Sequence, residues 1–209
     1  YDFFTIAVDK AGNIEPRPGQ SGQAPVVDGT TVYDASPPQS QASSPAFANR
    51  APIAVAYEAQ DPVSGIASVS LYAKFGDTGS WEDTGLSSSK TTGAFNYLPL
   101  FGEGIYYFYT IATDNAGHVE GAPVDPDTAT LFDTTPPVTA LWGPSGVNRL
   151  PIHLQYSCIE PGVLSGSPLK GVVLLYRFNA GEWRSTGLAS SSESGSFYFT
   201  PSEGPGVYD

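Results

Sequence analysis

The residues of this sequence best suited to chemistry are carboxylates, and they come in two ordered sets. Asp114, Glu120, Asp127 and Asp133 form one, and Asp9, Glu15, Asp28 and Asp34 follow the same order near the start. Calcium takes six to eight oxygens at roughly 2.3–2.6 Å, and acids gathered at the boundaries between repeated units are suitable donors. Asp114, Glu120, Asp127 and Asp133 are therefore the candidate Ca2+ ligands, and no other cofactor is expected. The competing reading is structural. Asp114-Asn115-Ala116-Gly117 is also a hairpin turn, in which Asp and Asn cap local amides and Gly accepts positive φ. No twelve-residue loop with ordered ligand spacing accompanies it.

Two tryptophans recur in equivalent settings, Trp81 and Trp183, each after a Gly-containing turn and before Thr-Gly-Leu. They are packing residues or, if exposed, faces on which a sugar ring could stack, which makes them the candidate carbohydrate-binding residues. The hydroxyl-rich runs Ser87–Thr92 and Ser190–Ser194, with Ser36–Pro45, read as solvated loops that could carry O-linked sugars. No Asn-x-Ser/Thr sequon occurs. Catalysis finds little support, because the only histidines are His118 and His153 and no nucleophile elbow, zinc-protease motif or phosphate loop is present. The acids recur with the repeat, which suits a scaffold better than one acid/base pair. The expectation is a protein that is not an enzyme.

Composition sets the class. Hydrophobic residues make up 40% of the 209 positions and aromatics 12%, enough for a packed interior. Gly 23 and Pro 19, with no stretch at helical spacing, favour short strands joined by punctuated turns. A net charge of −12 argues against a nucleic-acid partner, which needs a positive face. No apolar run approaches the roughly 20 residues that cross a bilayer, so no membrane partner is expected within this segment. Cys158, the one cysteine, lies in the apolar run Ile152 to Ile159 and is expected to be buried.

Internal repetition organises these features. Tyr1 to Glu15 matches Tyr106 to Glu120, Val32-to-Pro38 matches Leu131-to-Pro137, and Asn49-Arg50, Pro52-Ile53 and Tyr57 match Asn148-Arg149, Pro151-Ile152 and Tyr156. Tyr72 and Trp81 are aligned with Tyr176 and Trp183, and Gly104-x-Tyr106 with Gly206-x-Tyr208. Residues 1–38 thus read as the closing strands of a preceding unit, or as donor strands. Residues 39–137 read as a complete unit, and 138–209 as a unit without its last strands. Matching Tyr208-Asp209 to Tyr1-Asp2 gives a period of 208 − 1 = 207 residues. A covalent array and strand exchange between copies both satisfy it. Gln39–Pro45 is a linker or a lead-in strand.

Within 39–137, Ile53, Val55, Tyr57 and Ala59 alternate as in a half-buried strand, and Val69, Leu71, Ala73 and Phe75 do the same while Lys74 faces water. About seven short strands in about 100 residues suit an all-β sandwich, with Gly104-x-Tyr106 as its tyrosine corner. The motif Ala-x-Asp-x-Ala-Gly-Asn-x-Glu at Ala7–Glu15, its variant with His118 at Ala112–Glu120, and Asp-x-x-Pro-Pro at Asp34–Pro38 and Asp133–Pro137 resemble the tandem immunoglobulin-like, fibronectin type III-like repeats of large secreted or surface proteins of bacteria and archaea. The resemblance implies an extracellular or cell-surface stalk, filament or adhesin, glycosylated, with neighbouring copies or adjacent repeats as partners. An adhesin or carbohydrate-binding accessory module, with glycans as partners, is the alternative it implies.

Overall fold

The structure, a computed structural model, describes residues 1–17, 19, 27–161 and 167–209, and among these the regular structure is all strand. The apolar–polar alternation of residues 53–60 becomes β5 (Ile53–Gln60), in which every second residue is buried. β5 lies between β3 (Gln39–Ser43) and β8 (Thr92–Tyr97), so the Gln/Ser/Ala segment is a lead-in strand rather than a linker. A second sheet runs in the order β4 (Phe47–Ala48), β10 (Thr128–Phe132), β9 (Gly104–Asp114), β6 (Ile66–Phe75) and β7 (Glu82–Ser88). β7 takes up Ser87 and Ser88, which shortens the hydroxyl-rich loop to residues 89–91. The two sheets share one core, with Val55, Tyr57 and Phe95 from the first meeting Leu71, Tyr106 and Phe108 from the second.

β9 is the central strand of the larger sheet and its most buried element, which explains its long aromatic and aliphatic run. Two residues at its start fix how it enters. A Cβ on Gly104 would fall 2.5 Å from Phe75 Cε2, and φ there is +151°, so only glycine lets the Phe75 ring cover the backbone. Tyr106 Oη donates to the Gly102 carbonyl at 2.8 Å and accepts from Phe101 N–H at 3.1 Å, fastening the preceding loop to the strand.

Residues 138–209 repeat much of this arrangement. β11 (Val138–Trp142), β12 (Ile152–Ile159) and β15 (Ser194–Phe199) form one sheet, and β13 (Val172–Tyr176) pairs with β14 (Arg184–Ser190) in another. Cys158 is buried among Tyr156, Leu174 and Phe197. The Tyr156 and Phe197 rings stack at 4.8 Å as Tyr57 and Phe95 do at 4.6 Å, and both tyrosines donate to a serine hydroxyl, Ser190 and Ser88. Tyr208 Oη donates to Gly204 O at 2.7 Å, matching the Tyr106 corner.

One alignment made from residue types is corrected. Thr84 Oγ1 donates to Leu71 O and Thr186 Oγ1 to Leu174 O, which makes Leu174 the counterpart of Leu71. Tyr176 then occupies the place of Ala73, and Leu175 that of Tyr72. Because side chains alternate faces, the one-residue offset turns the two tyrosines opposite ways. Tyr72 stacks on Tyr109, whereas Tyr176 meets Phe199. The cause is a shorter turn before Trp183, which brings a tyrosine of the wrong face into apparent register.

The described residues of the first segment, 1–17 and 27–34, form a smaller piece. β1 (Asp2–Phe3) pairs with β2 (Gly29–Thr30), Asp2 opposite Thr30 and Phe3 opposite Gly29. This is the register of Tyr107 opposite Ala129 and Phe108 opposite Thr128.

Replacing Tyr106 by Phe leaves the ring in place and strands Phe101 N–H. We expect a loss of about 1–2 kcal/mol, read as a lower urea midpoint at unchanged slope.

Candidate functional site

The acids flagged by the sequence sit where two strand edges meet donor to donor. Ser40 and Ala42 of β3 turn their amides away from β5, and Thr110 and Ala112 of β9 turn theirs away from β6. Two rows of N–H groups cannot pair with each other, so an acceptor must lie between them. Glu120 accepts from Ala112 N at 2.9 Å, from Ser40 N at 2.7 Å and from the Ser40 hydroxyl. Asp127 Oδ2 accepts from Ala42 N at 2.8 Å and Thr110 N at 3.1 Å. Two carboxylates thus staple the sheets together along an edge where backbone pairing is impossible.

The first segment holds the same acids in half of the same arrangement. Glu15 accepts from Ala7 N at 3.0 Å, and Asp28 from Thr5 N at 2.7 Å and from the Thr5 hydroxyl. Asp9 Oδ1 takes the Ala11 and Asn13 amides, as Asp114 Oδ1 takes those of Ala116 and His118. Among the described residues no lead-in strand lies against these acids, and Phe3 is 54% exposed where its counterpart Phe108 is 0% exposed.

Asp114 belongs to a second grouping. Asp34, Asp114 and His118 each present a ligand-type atom within 4.8 Å of the others. Asp34 Oδ1 accepts from Ser36 N and its hydroxyl, and Asp34 Oδ2 from Ser64 N at 3.2 Å, tying the end of the first segment to the β5–β6 turn. The Ser36 amide and the Ser64 side chain lead in holding the Asp34 carboxyl down at about 2, against the opposing effect of burial. Burial pushes the Asp114 carboxyl up, but hydrogen bonds from His118 and Ala116 outweigh it and leave it below the usual range. Two carboxylates and an imidazole are a donor set for a transition metal rather than for calcium. Of the four candidate calcium ligands, only Asp114 falls in this cluster. Glu120 and Asp127 are held by strand amides, and Asp133 accepts from Thr135 N at 3.0 Å.

The tryptophans differ from each other. Trp81 lies 4.3 Å from the Tyr109 ring, with Lys74 Nζ 5.4 Å from its ring centre. Trp183 is 57% exposed, with the Arg177 guanidinium 5.2 Å from its ring. His153 stacks flat on Tyr198 at 4.8 Å. Sequence reading missed Ser40, Ala42 and Ser64, because backbone donors leave no signature in residue type.

Asp34 gives a pH dependence with a definite sign. Its folded pKa lies below the usual 3.8, so its stabilisation is present above about pH 4 and is lost as pH falls through about 2. Asp114 acts in the same direction. Thermal melts from pH 5 to pH 2 should fall, with faster amide exchange at Ser36 and Ser64, and the fall should be shallower in Asp34→Ala, which starts lower.

No protein-family model matches this chain, and no curated protein sequence matches it either.

Proposed function

We propose that this chain is a length of a non-enzymatic extracellular structural protein, built of tandem immunoglobulin-like, fibronectin type III-like β-sandwich repeats that form a surface stalk or filament. The observation that carries this reading is a hydrogen-bond pattern made twice. The closing hairpin of 106–133 and the segment 1–34 share strand register, carboxylate acceptors and turn geometry, down to a bridge between Thr113 and Val119 and another between Val8 and Ile14. Repetition of a whole structural unit, acids included, serves a scaffold. A reaction needs its groups once.

The joints support the same use. Asp34 and Asp133 each stand three residues before a Pro-Pro pair, and each accepts from the amide two residues on. Proline fixes φ and keeps the residue before it extended, so successive units would be linked semi-rigidly. The acidic surface keeps such fibres from clumping sideways. Carboxylates gathered at these joints are also where Ca2+ would stiffen the array, and the exposed serine loops are where O-linked glycans would sit.

Exposed Trp183 favours a second reading, an adhesin or carbohydrate-binding accessory module, because a free indole face can stack on a sugar ring.

Electron microscopy of the native particle separates the two. Fibres with an axial repeat are expected, and a monodisperse monomer without fibres would sink the structural reading. Glycan-array binding that disappears in Trp183→Ala would favour the second.

A further inference from the structure

Between the β6–β7 hairpin and the loop that leaves β8, the complete unit holds a cleft of about 490 Å³. That lies within the range of small-molecule sites, roughly 300–1,000 Å³. Ala73, Phe75, Leu86 and Tyr97 line it, Phe101 adds an exposed apolar lip, and Glu82 stands at the mouth. All of these residues belong to 73–101, inside one unit.

The sister segment shows what fills the equivalent space. Tyr176 occupies the place of Ala73 there, as the threonine hydroxyl bonds to Leu71 and Leu174 establish. Its ring meets Phe199, the counterpart of Tyr97, at 4.8 Å, and its hydroxyl donates to Glu203 Oε1 at 2.7 Å. Arg184, opposite Tyr176 across its hairpin, donates to the same oxygen at 3.1 Å. A phenol therefore plugs this space from within, and two polar partners tie it down. In the complete unit the plug is an alanine, and the space stays open.

The charges around it are inverted as well. Glu82 stands opposite Ala73 where Arg184 stands opposite Tyr176, and directly opposed residues of a hairpin share a face. Phe101, three residues before Gly104, takes the place of Glu203, three before Gly206. Among the described residues Glu82 makes no ion pair. Lys74, the next residue along β6 from Ala73, turns to the other face, where it meets Trp81 and Tyr107. Among the described residues no ring stacks flat on Tyr97, whose contacts with Tyr106 and Phe108 are T-shaped. Burial, with Tyr106 and Glu82 adding to it, pushes the Tyr97 phenol up to about 12, so this wall is neutral.

We infer that the cleft is a binding site for a small molecule built on one planar aromatic ring that carries a protonated amine. The ring lies over Ala73 against Tyr97, in the position of the Tyr176 ring, and the amine sits on the Glu82 carboxylate. An aromatic wall favours a flat ring over an aliphatic one of the same size. The unpaired acid at the mouth favours a cation and repels a carboxylate of the same shape. Because the site needs no neighbouring copy, it is separable from the filament reading.

An NMR titration of the ¹⁵N-labelled 209-residue chain with 2-phenylethylamine tests this. Saturable amide shifts are expected at Ala73, Glu82, Leu86 and Tyr97, with Kd on the order of 1 mM or tighter for so small a ligand. Two probes that each lack one feature, 3-phenylpropanoate and 2-cyclohexylethylamine, should bind roughly tenfold more weakly or worse. Ala73→Tyr installs the sister segment's plug and should abolish the shifts while leaving the melting temperature unchanged or higher. Glu82→Gln alters an exposed residue, so the fold is spared, and it should weaken the amine roughly tenfold and erase its advantage over the carboxylate. Absence of saturable shifts up to about 10 mM, a concentration well above that Kd, would overturn the inference. So would binding that survives Ala73→Tyr, an affinity indifferent to Glu82→Gln, or either control probe binding as tightly as the amine.

Discussion

A carboxylate placed between two rows of backbone N–H groups is the interaction on which the rest of this structure depends. β3 and β9 approach at an edge where both strands present donors, and neither can satisfy the other. Glu120 and Asp127 accept from both. Without them four buried or half-buried amides would lose their partners, each at roughly 1–3 kcal/mol. The acids thereby decide which strands may face each other. They lie outside both strands, on the loop that joins β9 to β10, so that loop controls how the two sheets close.

That constraint also explains the acidic composition. Fourteen per cent charged residues with a net charge of −12, 21 acids against 9 Lys and Arg, leaves most acids without a cation to pair with. Much of the excess is spent on backbone: Asp9, Glu15, Asp28, Asp34, Asp61, Glu103, Asp114, Glu120 and Asp127 all accept main-chain amides. A carboxylate so used is a structural acceptor first, and any ion it holds must compete with those amides.

The sequence made the strands legible because period-two alternation is a direct imprint of a face buried against a core. Residues 53–60 and 69–75 show it plainly, and the Gly104-x-Tyr106 corner follows from a glycine whose Cβ has no room and a phenol that needs backbone partners. The staple was half legible. Asp127 and Glu120 stood out as recurring acids, but recurrence cannot say whether an acid waits for a cation or for an N–H, and the partners at Ser40 and Ala42 are amides that every residue possesses. The alignment of Tyr72 with Tyr176 failed for a related reason: identity of type outweighed a one-residue change in a turn, and only the Thr84 and Thr186 hydroxyl bonds show which carbonyl each strand offers.

Pairs of equivalent residues in unequal surroundings carry the most information about what this chain does. Phe3 and Phe108, Trp183 and Trp81, Leu141 and Ala42 occupy the same places in the repeated pattern, yet one member of each pair is exposed and the other is covered or small. An exposed aromatic on an isolated surface has many explanations. One whose twin is covered by a known neighbour points to the covering group it lacks: Trp81 lies against Tyr109, and the residue in the place of Tyr109 in the first segment, Phe4, is itself 49% exposed. Unpaired strand edges with apolar faces are the surfaces most prone to indiscriminate association, so in a repeated β structure the register of each edge, and the acids that accept only from a correctly placed amide, decide which strand may lie against it.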